Sequence, residues 1–132
     1  MKTCIVTGGA GFIGSHLSKR LISIGKNVII LDDLSTGYMH NIPDGATFIK
    51  VDISDHKKIE CLSLPKTIDT IYHFAAQSSG EVSFENPLRD IEINYKATYN
   101  MLKLAENKRS NRFIYASTMS VYGDISSNET CK

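Results

Sequence analysis

Three glycines spaced three residues apart near the start of the chain constrain its fold most strongly. They are Gly8, Gly11 and Gly14, within the stretch TCIVTGGAGFIGSHLSKRLISIG at residues 3–25. An apolar run rich in β-branched residues precedes them, and a helix-like pattern ending at Gly25 follows. A strand, a tight glycine turn and a helix N-terminus bring unpaired backbone N–H groups and a positive partial charge together. The stretch therefore predicts a βα unit whose turn binds an anion such as a pyrophosphate.

Apolar runs of the same kind recur along the chain and alternate with helical patterns. Each run is almost continuously hydrophobic, which is typical of parallel strands covered on both faces. The predicted strands are Thr3–Thr7, Val28–Leu31, Thr47–Val51, Thr70–Phe74 and Phe113–Ser117. The alternation predicts an α/β fold, a Rossmann-type doubly wound parallel sheet in the order 3-2-1-4-5 with right-handed crossovers. Residues 1–125 are expected to form this domain, which stops after the fifth strand, and residues 126–132 to form a polar tail.

Three helices are predicted between these strands. The first follows the glycine turn, and its inward apolar stripe is predicted to be Ile13, Leu17, Leu21 and Ile24. A shorter second helix is expected over residues 56–62. A long third helix runs from Pro87 to Asn107, and its inward stripe is predicted to be Ile91, Tyr95, Thr98, Leu102 and Ala105. The polar segments at residues 34–45 and 77–86 are predicted loops.

Composition and charge argue against several classes of function. The net charge of +1 supplies no basic excess for binding nucleic acid. No run approaches the roughly 18 apolar residues that a membrane-spanning helix needs. The four histidines are scattered without metal-ligand spacing, so no metal site is predicted, and His73 is interpreted as a packed strand residue. Cys4, Cys61 and Cys131 lack a CxxC pairing, which predicts reduced thiols in a cytoplasmic protein, with Cys4 in the core of the first strand.

An acidic pair ends the second predicted strand, in the sequence VIILDD. Asp32 falls 18 residues after Gly14, about where a carboxylate meets the hydroxyls of an adenosine ribose. The same role is open to Asp33. A carboxylate at this point repels a 2′-phosphate, and residues 32–38 contain no Arg or Lys to offset it. The pair therefore indicates NAD rather than NADP as the ligand, with a solvated turn aspartate as the alternative interpretation.

Five motifs in order carry a resemblance to a known family: TGGAGFIG, LDDLSTG, VDISD, HFAAQSS and FIYASTMSVYGD. Over residues 2–124 the chain resembles the N-terminal half of the extended short-chain dehydrogenase/reductase family, and within it the sugar-nucleotide epimerases and dehydratases. The resemblance implies NAD as the cofactor and a nucleotide sugar as the substrate. In the reaction it implies, NAD accepts a hydride from a sugar carbon while a tyrosine removes the hydroxyl proton, and a keto-sugar forms.

The resemblance also implies contacts to the cofactor. Backbone donors at Phe12 and Ile13 would bind the phosphates, and Asp52 and Ile53 would contact the adenine. The path to the nicotinamide ribose would be lined by Phe74, Ala75, Ala76 and Gln77. Asn94 matches an asparagine that supports the active-site helix of the family. Simpler interpretations stay open, because Asp52 could cap the next helix, the alanines could be packing residues and Asn94 could bond locally.

The catalytic residues that the resemblance implies are a Ser or Thr, followed by a YxxxK pair. The hydroxyl falls on Thr118, with Ser117 and Ser120 as close neighbours, and no YxxxK follows it in the 132 residues. Tyr99 and Lys103 have the spacing but precede Thr118 on the long helix, where an ordinary surface pair explains them. Because a positioned general base contributes about 10²–10⁴-fold to a rate, we expect this chain alone to be inactive.

Three hypotheses remain open at this point. The chain supplies the cofactor half of an epimerase or dehydratase whose substrate-binding domain lies outside it, or it is a catalytically silent NAD-binding module, or it is a fragment without a function of its own. Dimers of the family commonly form through the helix that starts near Pro87, which favours a homodimer. An uncovered sheet edge at Phe113–Ser117 predicts self-association as well. The loop Gln77–Pro87 is expected beside the sugar, with Glu81 as a candidate contact.

Overall fold

Five parallel strands form one sheet: β1 (Thr3–Thr7), β2 (Asn27–Asp32), β3 (Thr47–Lys50), β4 (Thr70–His73) and β5 (Arg112–Tyr115). The structure is a computed structural model that describes residues 1–123. The strand order is β3-β2-β1-β4-β5, which confirms the prediction. Thr7, the last residue of β1, pairs with Leu31 of β2 and His73 of β4, so the carboxyl ends of the central strands meet at one edge. The predicted tail at residues 126–132 lies outside the described residues, as does Cys131.

Helices cover the sheet, and most of them follow the predicted pattern. They are α1 (Phe12–Ser23), α2 (His56–Glu60), α3 (Gly80–Glu85), α4 (Pro87–Ile91) and α5 (Ala97–Asn107). The long third helix is confirmed, but a π-helical turn at Glu92–Lys96 separates α4 from α5. The loop predicted over residues 77–86 is wrong in part, because α3 occupies most of it. The Ser79 hydroxyl caps α3 by accepting the Val82 N–H, and Glu81 is exposed in its first turn.

The core lies on both sides of the sheet, because alternate residues of each buried strand point to opposite faces. One cluster joins Ile5 and Ile71 of the strands to Met101 of α5. The other joins Cys4 and Val6 to Leu21 of α1 and to neighbouring residues of β2. The prediction that Cys4 is a core residue of the first strand is confirmed. At about 1.5–3 kcal/mol for each large apolar side chain, this burial fixes the strand ends that shape the site.

The inward stripe predicted for α1 is right at Leu21 and at Leu17, which packs against the core, and wrong at Ile13 and Ile24. Ile13 is 63% exposed and Ile24 is also exposed, whereas Gly14, Ser18 and Leu21 are buried. Close approach explains the difference at the start of the helix, because a Cβ at residue 14 would lie 2.2 Å from the carbonyl oxygen of the preceding turn. Small residues therefore face the sheet at the start of α1, and the isoleucines turn outward.

The stripe predicted for the long helix is wrong only in part, because Thr98 bonds the buried His73 ring and Ala105 packs against the core, as predicted. Ile91, Tyr95 and Leu102 are exposed, and the buried positions of α5 include Asn100. The inward face carries polar groups with specific partners. The Asn100 side-chain amide, for example, donates to the carbonyl oxygens of Ile53 at 2.9 Å and Ser54 at 3.1 Å. Hydrogen bonds to the strand ends, rather than apolar burial alone, set the rotation of this helix.

Candidate functional site

A cleft of about 490 Å³ opens at the carboxyl edge of the sheet. It lies beside β1, where the strand order reverses between β2 and β4, the position at which ligands bind in open α/β sheets. Most of the predicted cofactor residues line it: Gly8, Gly11, Asp32, Asp33, Asp52, Ile53, Phe74, Ala75, Ala76 and Gln77. Four do not: Phe12, Ile13, Gly14 and Asn94. The sequence therefore located the cleft, and the remaining four residues have other positions, described below.

The glycine turn is built as its spacing predicts. Gly8 has a φ of +66°, and a Cβ there would lie 2.8 Å from the backbone nitrogen of Ala75. The Gly8 N–H donates to the Leu31 carbonyl at 3.0 Å, and the Gly11 N–H donates to the Gly8 carbonyl at 3.1 Å. Gly14 lies behind the turn, where it allows α1 to approach. The importance of Gly9 was missed, although a Cβ there would lie 2.5 Å from the Ile30 side chain. The doubled glycine in TGGAG was the available signal.

The N-terminus of α1 leaves its first backbone N–H groups without partners inside the helix. The helix begins at Phe12 with Gly11 as its N-cap, and neither a capping side chain nor an acidic residue lies in this first turn. The side chains of Phe12 and Ile13 are exposed, so only their backbone groups belong to the turn. The positive end of the helix is therefore open to an anion.

Asp32 connects the glycine turn to the end of β2. Its carboxylate accepts the Ala10 N–H at 2.9 Å and the Leu34 N–H at 2.8 Å, through different oxygens. Asp32 is only 8% exposed, so it is not the solvated turn aspartate considered as the alternative. Each carboxylate oxygen retains acceptor capacity for a ligand in the cleft. Asp33 is more exposed, and its carboxylate accepts the Ser35 N–H at 2.8 Å.

Asp52 lines the cleft just after β3, the strand that pairs with β2. Its carboxylate accepts hydrogen bonds from the Ser54 N–H at 2.9 Å, the Ser54 hydroxyl at 2.7 Å and the Arg89 guanidinium at 3.0 Å. Burial acts to raise the pKa of Asp52, but these hydrogen bonds from Ser54 and Arg89 outweigh it and lower the pKa. The alternative that Asp52 caps the next helix is wrong, because Asp55 is the N-cap of α2 and accepts the Lys58 N–H.

A hydrogen-bonded chain runs behind the cleft from β1 to the long helix. The Thr7 hydroxyl oxygen accepts the N–H groups of Phe74 and Ala75, each at 3.1 Å, and lies 2.8 Å from His73 Nδ1. His73 Nε2 lies 2.9 Å from the Thr98 hydroxyl. That hydroxyl donates its own proton to the Asn94 carbonyl oxygen at 2.7 Å. Thr98 must therefore accept from Nε2–H, so His73 is the neutral tautomer that accepts from Thr7 through Nδ1.

Burial lowers the pKa of His73 to about 4, and its side chain is 2% exposed. Both ring nitrogens have partners, which confirms the interpretation of His73 as a packed strand residue. Because burial disfavours the charged imidazolium, the ring stays neutral at physiological pH. The sequence did not indicate its two threonine partners, which are distant along the chain.

Asn94 holds the loop after β4 rather than lining the cleft. Its side-chain oxygen accepts the Gln77 N–H at 2.9 Å, and its amide donates to the Gln77 carbonyl at 2.8 Å. The Gln77 amide in turn donates to the Asp90 carboxylate at 2.9 Å, as does the Ser83 hydroxyl. Asn94 therefore does more than bond locally, because it fixes the backbone of a cleft residue 17 positions away.

The predicted catalytic Thr118 and the Tyr99–Lys103 pair, which has YxxxK spacing, lie outside the cleft lining. Thr118 follows β5 at the start of a 3₁₀ turn, where its carbonyl accepts the Val121 N–H at 3.3 Å, and it is not among the cleft-lining residues. Tyr99 and Lys103 lie on α5, and Lys103 pairs with Glu106 at 2.9 Å. This supports an ordinary surface role for the Tyr99–Lys103 pair.

Residues 1–123 contain neither a cluster of metal ligands nor a membrane-spanning helix. Within that range no three His, Cys, Asp or Glu side chains are grouped so that they could hold a metal ion. None of the helices described there has the length and apolar character needed to cross a bilayer.

A parallel sheet with a glycine turn and a buried aspartate at its switch point defines a dinucleotide-binding domain of the Rossmann type. The chain belongs to the NAD-dependent epimerase/dehydratase family, whose model matches residues 4–132. A putative UDP-glucose 4-epimerase of Methanocaldococcus jannaschii is 40% identical over 121 residues, which cover 91% of this chain and 39% of that protein. UDP-glucuronic acid decarboxylase 4 of Arabidopsis thaliana is 40% identical over 91% of this chain and 26% of its own length.

Solved structures agree with this assignment. UDP-glucose 4-epimerase of Thermus thermophilus in complex with NAD superposes with a TM-score of 0.89 at 35% identity, covering 98% of this chain and 42% of that one. The Thermotoga maritima UDP-glucose 4-epimerase with UDP-glucose gives 0.83 at 36% identity, covering 88% and 38%. The chain thus spans about two fifths, or less, of the length of these relatives.

The residues present fit NAD, the cofactor of the family. Gly8 and Gly11 line the cleft with bare backbone, where side chains would occupy the space beside the turn. The open N-terminus of α1 suits a diphosphate, and the buried carboxylate of Asp32 suits hydroxyl donors. The cleft volume also lies within the range of roughly 300–1,000 Å³ typical of small-molecule sites.

Proposed function

We propose that this chain is the cofactor-binding portion of a sugar-nucleotide epimerase or dehydratase, most similar to UDP-glucose 4-epimerase, that acts by hydride transfer at a sugar carbon. The observation that carries the proposal is the meeting of the glycine turn and the buried Asp32 carboxylate in one cleft. NAD, when bound, supplies the hydride acceptor and donor. A nucleotide sugar is the proposed substrate, because relatives with 36% and 35% identity were solved with UDP-glucose and with UDP-N-acetylmuramic acid.

Each wall of the cleft has a proposed role. The backbone N–H groups of Phe12 and Ile13 bind the diphosphate at the start of α1, with Gly11 leaving room for it. Asp32 accepts hydrogen bonds from the adenosine ribose hydroxyls. After the neighbouring strand β3, Asp52 and Ile53 contact the adenine ring. Gly8 and Gly14 shape the turn without a side chain of their own.

The loop after β4 is proposed to border the nicotinamide ribose. Phe74 and Ala75 are held through their N–H groups by the Thr7 hydroxyl, and Gln77 is held by Asn94. These hydrogen bonds keep the loop in one position, so that its backbone presents the same surface to each ligand. Ala76 contributes a small side chain, which suits close approach of a ring. Thr118 is the proposed hydroxyl that bonds the reacting oxygen of the sugar.

We further propose that the 132 residues do not turn over a nucleotide sugar by themselves. The sequence after Thr118 contains no YxxxK pair, and the tyrosine base of the resemblance is therefore not supplied. A catalytically silent NAD-binding module and a fragment without function remain the competing proposals. Binding of NAD without turnover fits the cofactor portion and the silent module, and addition of the remaining part of such an enzyme distinguishes them.

Replacing Asp32 with alanine is expected to weaken NAD binding about tenfold or more. The variant removes a carboxylate that accepts ribose hydroxyls, and a hydrogen bond to a charged group contributes about 1.5–3 kcal/mol. Calorimetric titration of the chain with NAD and with NADP, before and after the substitution, measures this. Wild type should bind NAD more tightly than NADP, and the preference should shrink in the variant.

Asp44→Ala is the control for that experiment, because Asp44 is an exposed loop aspartate outside the cleft. Thermal unfolding of both variants shows how much of the change comes from the lost Ala10 and Leu34 hydrogen bonds rather than from the ligand. Equal affinity of the wild-type chain for the two dinucleotides would overturn the ribose role of Asp32.

A homodimer is proposed to form through the exposed helix face, which we define as Leu88, Ile91, Tyr95 and Leu102. These four apolar side chains are all exposed along α4, the π-helical turn and α5, and Tyr95 is 74% exposed. Exposed apolar side chains concentrated on one helical segment favour a protein contact there. Tyr95→Glu is expected to convert dimer to monomer in light scattering at micromolar concentration. Tyr38→Glu, at another exposed tyrosine, should leave the dimer intact.

The edge strand β5 is the other proposed contact, because Ile114 and Tyr115 are exposed on it. If self-association survives Tyr95→Glu but is lost in Ile114→Lys, the sheet edge forms the contact and the helix face does not.

A cytoplasmic location is proposed on the free thiols of Cys4 and Cys61. The near-neutral charge supports partners other than nucleic acid.

A further inference from the structure

Arg89 lies beside the acidic residues that follow the adjacent strands β2 and β3. Its guanidinium donates to the Asp52 carboxylate at 3.0 Å and to the Glu92 carboxylate at 3.3 Å, and lies 3.9 Å from the Asp33 carboxylate. It also donates to the Ser54 hydroxyl at 3.4 Å. Burial acts to lower the pKa of Arg89, but Asp52 and Glu92 outweigh it and raise the pKa, so the group stays charged.

Arg89 contacts two carboxylates that line the cleft without lining it itself. Asp33 follows β2 and Asp52 follows β3, whereas Arg89 reaches them from α4. Its side chain is only one-third exposed. Three carboxylates face one guanidinium here, so the cluster keeps a net negative charge beside the ribose end of the cleft.

We propose that Arg89 is a specificity-determining residue of the dinucleotide cleft, because it partly neutralises Asp33 and so sets how strongly the cleft excludes a 2′-phosphate. This inference rests on the proposed function, in which the adenosine ribose lies against Asp32 and its neighbour Asp33. A cation about 4 Å behind a carboxylate reduces the field that this carboxylate presents on its other side. The sequence near Asp32 contains no such cation, and Arg89 supplies it from 56 residues further along.

Two consequences with opposite signs follow. Removing the cation leaves Asp33 uncompensated, so discrimination against NADP rises. Removing the Asp33 charge leaves Asp52 and Glu92 against Arg89, so a 2′-phosphate meets less repulsion and discrimination falls. Once Arg89 is removed, Asp33 acts uncompensated, so loss of its charge should lower discrimination at least as much as it does with Arg89 present. The combined variant therefore separates compensation by Arg89 from the effect of Asp33 itself.

The test is a double-mutant cycle on the ratio of the NADP dissociation constant to the NAD dissociation constant, measured by calorimetry. Arg89→Met should raise this ratio about threefold or more, and Asp33→Asn should lower it about tenfold, of the order expected for one unit charge acting over several ångströms near a protein surface. In the Arg89→Met background, Asp33→Asn should lower the ratio by at least the same factor. Lys19→Met, which removes an exposed positive charge on α1, should leave the ratio unchanged.

Arg89→Lys keeps the charge and covers the case in which Arg89→Met does not fold. Its ratio should stay within about twofold of wild type, because the field rather than the fork geometry sets selectivity. A ratio that Arg89→Met leaves unchanged or lowers, or an Asp33→Asn effect that disappears in the Arg89→Met background, would overturn the inference while the Asp32 experiment still supports NAD binding. A wild-type chain that binds neither dinucleotide would overturn the proposed function, and this inference with it.

Discussion

Gly14→Ala is expected to lower NAD affinity about 100-fold, which corresponds to roughly 3 kcal/mol. The added Cβ would lie 2.2 Å from the Gly8 carbonyl oxygen and 2.8 Å from the Gly9 Cα, both of which are backbone atoms that cannot rotate away. Relief of this contact requires α1 to move away from the turn. Overpacking of this kind costs about 1–3 kcal/mol in stability, and the N–H groups of the first helical turn move with it.

The measurement is calorimetric NAD titration combined with thermal unfolding. Gly80→Ala is the matched control, because a Cβ at Gly80 would meet nothing within 4 Å. It adds the same methyl group at the start of a different helix and should leave affinity unchanged. If Gly14→Ala bound NAD as tightly as Gly80→Ala, the close approach of α1 to the turn would not matter for the ligand.

Acidification from pH 6.5 to pH 4.5 is expected to reduce the free energy of unfolding by about 2–3 kcal/mol through His73 alone. Its pKa is about 4 in the folded chain and about 6.5 when unfolded, so the unfolded state binds the extra proton in this interval. The stability that comes from the neutral ring is fully present above pH 6.5. It is lost as the pH falls toward 4 and does not change further below that value.

Urea unfolding of wild type and His73→Gln at both pH values checks this prediction. The variant lacks the titrating ring, so its stability should fall much less between the two values. His40→Gln replaces an exposed histidine and should keep the wild-type dependence. Thr98→Val removes one partner of the His73 ring while keeping the ring itself, and should lower stability without removing the pH dependence. Parallel curves for wild type and His73→Gln would show that His73 does not carry the effect.

The features predicted correctly from the sequence are those set by local pattern. Continuous apolar runs identified all five strands, and their alternation with helices, together with the glycine turn after the first strand, predicted the order of a doubly wound sheet. The glycine spacing likewise located the turn, since the positive φ of Gly8 and the close approach at Gly14 are local requirements. Asp32 followed from its distance to that turn.

The features missed depend on partners distant in the sequence. Apolar periodicity predicted part of each inward stripe but wrongly included Ile13 and Tyr95, because it takes no account of the bare backbone at Gly14 or of the Asn100 amide hydrogen bonds. Arg89 was missed for the same reason, because its partners Asp33 and Asp52 are far from it in the sequence and no local pattern predicts the pairing. No spacing rule connects such residues before the sheet brings them together.

The most direct test of the dinucleotide site is a crystal structure of this chain grown with NAD. We predict diphosphate oxygens within about 3 Å of the backbone nitrogens of Phe12 and Ile13, and adenosine ribose hydroxyls at the same distance from the Asp32 carboxylate. NAD bound away from the glycine turn, or with its ribose hydroxyls out of reach of Asp32, would contradict the proposed function.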